Sequence, residues 1–161
     1  MPKLVVLAAC ERVLVDRVGS LPSLINIFQR MNVQLQEAPL PDNAISPARW
    51  SVFALWQHTP EEKDIEFTQK TEILSPIGEK FAGATTTFKI TENDDLQSKN
   101  HIDMFGLPIN HEGFIKVRVW LEGYADASGE YQFLIKYVRK EQNEEQAVTA
   151  NSDAPASIHT H

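Results

Sequence analysis

The sequence predicts an all-β fold: an antiparallel two-sheet sandwich of about eight strands with a disordered acidic C-terminal tail. Three observations predict it. Ile115, Val117, Val119 and Leu121 take every second place in one segment, and Tyr131, Phe133, Ile135 and Tyr137 do so in another. Successive side chains on a strand point to opposite faces, so each set builds one apolar wall. The same alternation recurs upstream, punctuated by turn residues at roughly 8–12-residue spacing, and no segment carries a helical period beyond a turn or two.

The first element spans Lys3 to Asp16. It is apolar on both faces near its start, as a central strand covered on both sides would be. Arg17-Val18-Gly19-Ser20-Leu21-Pro22-Ser23 turns the chain. A second strand follows from Leu24 to Leu35, with Ile25, Ile27, Met31, Val33 and Leu35 on one side and Gln29 interrupting the stripe as a bulge would. Residues 37–47 hold Pro39, Pro41 and Pro47 and read as a loop. Trp50 to Gln57 is the next strand, and Trp50, Val52, Ala54 and Trp56 share its core face.

His58 to Asp64 connects to a more polar strand, Ile65 to Leu74, with Ile65, Phe67 and Ile73 inward. Glu66, Lys70 and Glu72 on its other side suggest a solvated face or a protected edge. Ser75-Pro76-Ile77-Gly78 is a turn, and Phe81 to Ile90 is a strand weakened by Gly83. Asn100 to Phe105 is a short strand that Gly106-Leu107-Pro108 ends or bends. Ala125-Asp126-Ala127-Ser128-Gly129-Glu130 is the turn of the closing hairpin. The expected core contains Ile25, Ile27, Val117, Val119, Phe133 and Ile135, with Trp50 and Trp56.

The sandwich domain covers residues 1–140. Residues 141–161 are rich in Glu, Gln, Asn, Ala and Ser, lack aromatics, Lys and Arg, and include Glu141, Glu144, Glu145 and Asp153. Such a segment cannot bury enough apolar area to offset its ordering entropy.

The whole chain has 161 residues, 42% hydrophobic and 23% charged, in keeping with one globular domain. Its formal net charge of -7 argues against a general nucleic-acid binder, which needs a surplus of cations against phosphate. No run approaches the ~18 consecutive apolar residues of a membrane helix. Leu7-Ala8-Ala9-Cys10 looks like a lipoprotein cleavage box, but the apolar run before the cysteine is shorter than the ~7–15 residues a secretory signal needs. The segment also continues as Val13-Leu14-Val15, so Cys10 reads as a buried thiol in the first strand. A single cysteine excludes an intrachain disulfide and suits a cytoplasmic protein.

Cys10-Glu11, Asp16, Gly19 and Ser23-Leu24-Ile25-Asn26-Ile27-Phe28 resemble an uncharacterised bacterial family, a domain of unknown function. Leu107-Pro108-Ile109-Asn110-His111-Glu112-Gly113 is similar to that family's closing half. The likeness runs over most of residues 3–139. Its motifs are turns and core strands, so it implies a β-sandwich and a bacterial source and transfers no catalytic residue.

Catalytic signatures are weak. There is no Gly-x-Ser-x-Gly elbow and no Gly-rich phosphate loop, and Cys10 in an apolar run is inert. His101 and Asp103 share a strand face and His111 follows a bend, a set that suits zinc, iron or manganese and defines a metal-dependent enzyme as one reading. The bland reading of the same residues is a solvated strand end. Glu92-Asn93-Asp94-Asp95 offers hard oxygen ligands of the kind calcium uses, without the spaced Asp-x-Asp-x-Asp pattern. The closing hairpin is more informative. Opposite its apolar wall it carries Phe114, Arg118 and Trp120, with Leu134 and Lys136 across from them. Aromatic residues mixed with Arg are typical of interface hot spots. The expected function is therefore a non-enzymatic binding module that meets a protein partner or a second copy of itself and needs no cofactor. A carbohydrate- or small-ligand-binding module using Trp120 is the alternative.

Overall fold

The computed structural model describes residues 1–16, 21–35, 40–91 and 96–139. The expected tail at 141–161 and the acidic loop at 92–95 lie outside the described residues, as does most of the first turn. The described chain is all-β. Its strands are β1 (Lys3–Val15), β2 (Pro22–Ile27), β3 (Arg30–Leu35), β4 (Ile45–Gln57), β5 (Glu66–Leu74), β6 (Lys80–Lys89), β7 (Gln97–Pro108), β8 (Gly113–Leu121) and β9 (Tyr124–Arg139). They form a four-stranded sheet in the order β2-β1-β4-β7 and a five-stranded sheet in the order β3-β9-β8-β5-β6. A single 3-10 turn, Pro60–Glu62, interrupts the strands.

The expected second strand is two strands in two sheets. Asn26 adopts a left-handed backbone with φ 51°, and the chain leaves the first sheet just after it. The Phe28 N–H still donates to Ala9 O on β1 at 2.8 Å, whereas the next carbonyl, Gln29 O, already accepts from Leu134 N on β9 at 3.0 Å. Gln29 thus marks a crossing between sheets where a bulge was expected. β3 then runs parallel to β9, the one parallel pairing among the described strands. The crossing also shifts which residues face inward. Met31 and Val33 pack on the core, but Ile25 and Ile27, expected inside, are 38% and 48% exposed because β2 is the edge of its sheet.

Other boundaries move for local reasons. β4 begins before Pro47, inside the expected proline loop, and a register shift against β7 accommodates that stretch. β7 continues through Gly106, whose φ of 86° bends the strand without ending it, and Leu107 is fully buried. Ile65 is exposed, and β5 is an interior strand between β8 and β6. The closing hairpin turns at Glu122–Gly123, where φ of 82° favours glycine. Residues 125–130 therefore belong to β9, which bulges so that Trp120 faces Ser128 while Leu121 faces Tyr124. The bulge inserts Ala127 into the core, and Gly129 sits so close to Leu4 that a Cβ there would collide with it.

Two adjoining clusters fill the space between the sheets. One joins Ala9, Trp50 and Val52 to Ile73, Ile115, Val117, Phe133 and Ile135; the other joins Ala54 and Trp56 to Phe67, Val119, Leu121 and Ala127. Burying each large apolar side chain contributes about 1.5–3 kcal/mol. Leu4 and Leu7 both reach this core because a bulge between Leu4 and Val6 resets the alternation of β1.

The core also holds a polar bridge that the sequence pattern does not announce. The Trp56 indole donates to Gln69 Oε1 at 2.7 Å, and Asn100 Nδ2 donates to the same oxygen at 3.1 Å. Gln69 Nε2 in turn donates to Thr71 Oγ1 at 3.1 Å. Trp56 and Asn100 belong to one sheet and Gln69 to the other, so the bridge fixes their relative position. An acceptor removed from such a network leaves buried donors unsatisfied. Gln69→Leu is expected to lower the unfolding free energy by about 2–3 kcal/mol, measured by urea unfolding. Combining it with Trp56→Phe should cost less than the sum of the two single changes. Strict additivity would show that the bond carries no coupling.

Candidate functional site: the outer face of the five-stranded sheet

Since Ile115, Val117, Val119 and Leu121 point inward, Phe114, Lys116, Arg118 and Trp120 stand on the outer face of β8. β9 contributes Gln132, Leu134, Lys136 and Val138 to the same face. Phe114 lies across from Leu134, Lys116 from Gln132, Arg118 from Glu130 and Trp120 from Ser128. β3 places Arg30 beside Leu134 and Asn32 beside Lys136. β5 places Lys70 beside Trp120 and Glu72 beside Arg118. All the residues expected at an interaction surface, Phe114, Arg118, Trp120, Leu134 and Lys136, are thus on one continuous face. Arg30 joins them only because β3 crosses between sheets and pairs with β9, a pairing that local alternation could not reveal.

Two aromatic residues on this face are accessible. Phe114 is 51% exposed and Trp120 36%, while Trp50 and Trp56 are sealed in the core. The charges divide into two groups. Arg118 Nε donates to Glu130 Oε2 at 2.7 Å, Lys70 lies 3.6 Å from Glu122, and Lys80 lies 3.5 Å from Glu72. The hydrogen bond from Arg118, followed by that from Gln132, holds the Glu130 carboxyl below its ordinary pKa. No ion pair joins Arg30, Lys116 or Lys136 to a carboxylate among the described residues. Glu112, in the turn before β8, accepts from Tyr137 N at 2.6 Å. An apolar centre, Phe114 and Leu134, therefore sits among surplus cations on a chain whose net charge is negative.

Near the hairpin end the bulge of β9 opens a groove of about 800 Å³ lined by Arg118, Trp120, Tyr124, Ser128 and Glu130 among others. Its wall combines an indole, a guanidinium and a carboxylate. The groove exists because Ala125, Asp126 and Ala127 leave the ladder, and the sequence reading, which placed a turn there, could not find it.

The metal set is not assembled. His101 and Asp103 stand on the outer face of the other sheet, opposite Phe53 and Ser51, and Asp103 Oδ1 accepts from Ser51 Oγ at 2.7 Å. His111 lies in the turn between β7 and β8. Among the described residues no three His, Cys, Asp or Glu side chains gather as metal ligands. Cys10 is buried, and that burial pushes its thiol pKa up, as an inert cysteine requires. No described helix is long and apolar enough to cross a membrane. No protein-family model matches the chain, and no curated protein matches it.

One titratable side chain away from this face is unusual. His58 is buried against Phe67 and Phe88, with ring centroids 5.2 and 5.9 Å away. Neither ring nitrogen has a hydrogen-bond partner, and Nδ1 stands 3.7 Å from Glu62 Oε2. Glu62 is occupied by the Thr59 N–H and the Met1 ammonium. Burial pulls the His58 pKa below 6.5, outweighing the nearby Glu62 carboxylate. The unfolded chain then binds a proton that the folded chain resists, so stability is intact above about pH 6.5 and falls as pH drops through the folded pKa. Urea midpoints should decline between about pH 7.5 and 5.5 in the wild type and decline less in His58→Phe. Equal declines in both would assign the effect to other groups.

Proposed function

We propose that the chain is a non-enzymatic interaction module of the bacterial cytoplasm. It docks an acidic protein partner on the outer face of the five-stranded sheet through Phe114, Arg118, Trp120, Leu134 and Lys136. The observation that carries this reading is the coincidence, on one sheet face, of exposed Phe114 and Trp120 with Arg30, Lys116 and Lys136, which form no ion pair among the described residues. The inward residues of the same strands already fill the core, so a sheet face meant only for solvent has no use for Phe114 and Trp120. The surplus charge selects the partner's sign. A symmetric dimer joined through this face would bring two copies of the same cationic patch together, and like charges repel. An acidic surface with an apolar anchor fits both components.

The groove beside Trp120 supports a second reading, a carbohydrate- or small-ligand-binding module. There the indole face would stack on the ligand while Arg118 and Glu130 supply hydrogen bonds.

A photo-crosslinking residue placed at position 114 in the native cell tests the first reading. Protein adducts are expected from position 114 and not from position 25 on the other sheet, and Lys116→Glu with Lys136→Glu should abolish them. For the partner so captured, Trp120→Ala should weaken binding by about 2 kcal/mol, roughly 30-fold, in calorimetry. Absence of adducts at position 114 would remove the docking surface. Quenching of Trp120 emission by oligosaccharides would favour the groove instead.

A further inference from the structure

The outer face of the four-stranded sheet carries two further cations, separate from the docking face. Cys10 on β1 lies across from Ser51 on β4. Continued by two residues on each strand, that register sets Arg12 beside Arg49 on the same side of the sheet. Ile25 of β2 lies across from Arg12, and Phe105 of β7 lies across from Arg49. Arg12 and Arg49 line one cleft of about 640 Å³ with Ser51, Asp103 and Phe105 among others. Ser51 is small and nearly buried, which leaves the depression open above it. Phe105 is 69% exposed, so its ring is bare.

Neither arginine is neutralised. Two carboxylates border the cleft, Glu11 and Asp103, and each is engaged by another side chain. Glu11 Oε2 accepts from Asn26 Nδ2 at 2.6 Å, and Asp103 Oδ1 accepts from Ser51 Oγ at 2.7 Å. No ion pair joins Arg12 or Arg49 to a carboxylate among the described residues. Like charges across from one another on adjacent strands destabilise a sheet. An anion between the two guanidinium groups relieves that repulsion and accepts a fork of N–H donors from each.

We propose that this cleft binds a phosphate monoester carried on a planar ring, as in a nucleoside monophosphate. Two guanidinium charges match the charge of about −1.5 to −2 on a phosphate monoester at pH 7, whereas a carboxylate needs only one. The bare ring of Phe105 offers a stacking face, which any nucleobase can use. Asp103 Oδ2 stands in the same cleft to accept from a ligand hydroxyl, such as one on a ribose. The volume falls within the range of about 300–1,000 Å³ usual for small-molecule sites.

Calorimetry of the full chain with adenosine 5′-monophosphate tests the assignment. The nucleotide should bind, and Arg12→Gln and Arg49→Gln should each weaken binding about tenfold or more. Phe105→Ala should weaken it as well. Adenosine keeps the ring and the ribose without the phosphate, and it should bind about tenfold or more weakly than the nucleotide. Without ligand, neither arginine variant should melt below the wild type, because removing one of two like charges relieves repulsion. Absence of nucleotide binding, or full binding by both arginine variants, would overturn the proposal. Equal affinity for adenosine and the nucleotide would overturn it too, since the arginines would then hold no phosphate. Weaker binding accompanied by a lower melting temperature of the unliganded variants would assign the arginines to the fold and reject the site.

Discussion

The crossing at Phe28 is the constraint on which the rest of the structure depends. Its N–H completes the β1 ladder, its carbonyl accepts from Tyr131 Oη at 2.6 Å, and its ring packs 6.4 Å from Trp50 and 5.4 Å from Phe133. One residue therefore ties backbone and side chain to both sheets. The Trp50 ring meets Phe133 edge-on at 5.9 Å, and its indole donates to Gly106 O at 2.9 Å. Aromatic contacts of this kind add about 0.5–1.5 kcal/mol beyond their buried area. The crossing has a second effect. It delivers β3 to the open edge of β9, so β9 becomes an interior strand and Arg30 enters the outer face.

The division of labour between the two faces of β8 and β9 follows from strand geometry. The inward residues close the core against the four-stranded sheet, and the outward residues are left free of packing duty. Ion pairs such as Arg118–Glu130 and Lys70–Glu122 are solvent-exposed and worth little to stability, about 0–1 kcal/mol each. They fix the positions of charges beside Trp120, whereas Arg30, Lys116 and Lys136 form no ion pair among the described residues. The polar bridge at Gln69 serves a different need. Apolar surfaces slide easily over one another, whereas a hydrogen-bonded amide between sheets fixes one register.

The all-β class, the apolar walls of the closing hairpin and the candidate surface were legible because all three depend on alternation within single strands. Trp50, Trp56, Val117, Val119, Phe133 and Ile135 are buried where alternation placed them. What failed depends on interactions between distant segments. Ile25 and Ile27 share a phase with Met31 and Val33, but a left-handed Asn26 and a change of sheet leave the first pair exposed on β2 and the second packed on the core from β3. The residues of Ala125 to Glu130 have turn chemistry, yet the Gly123 turn and the need to bury Ala127 draw them into a bulged strand. His101 and Asp103 stand on β7 and His111 in the turn after it, and no three ligand-type side chains gather among the described residues.

The central claim is that Phe114, Trp120 and Leu134 serve recognition while the opposite side of the same strands carries the fold. The most direct measurement is the melting temperature of a chain carrying Phe114→Ser, Trp120→Ser and Leu134→Ser together. Surface substitutions away from the core stay within about 0.5 kcal/mol each, so the transition should remain cooperative and fall by only a few degrees. Loss of the cooperative transition would show that these side chains are part of the core, and would contradict the account.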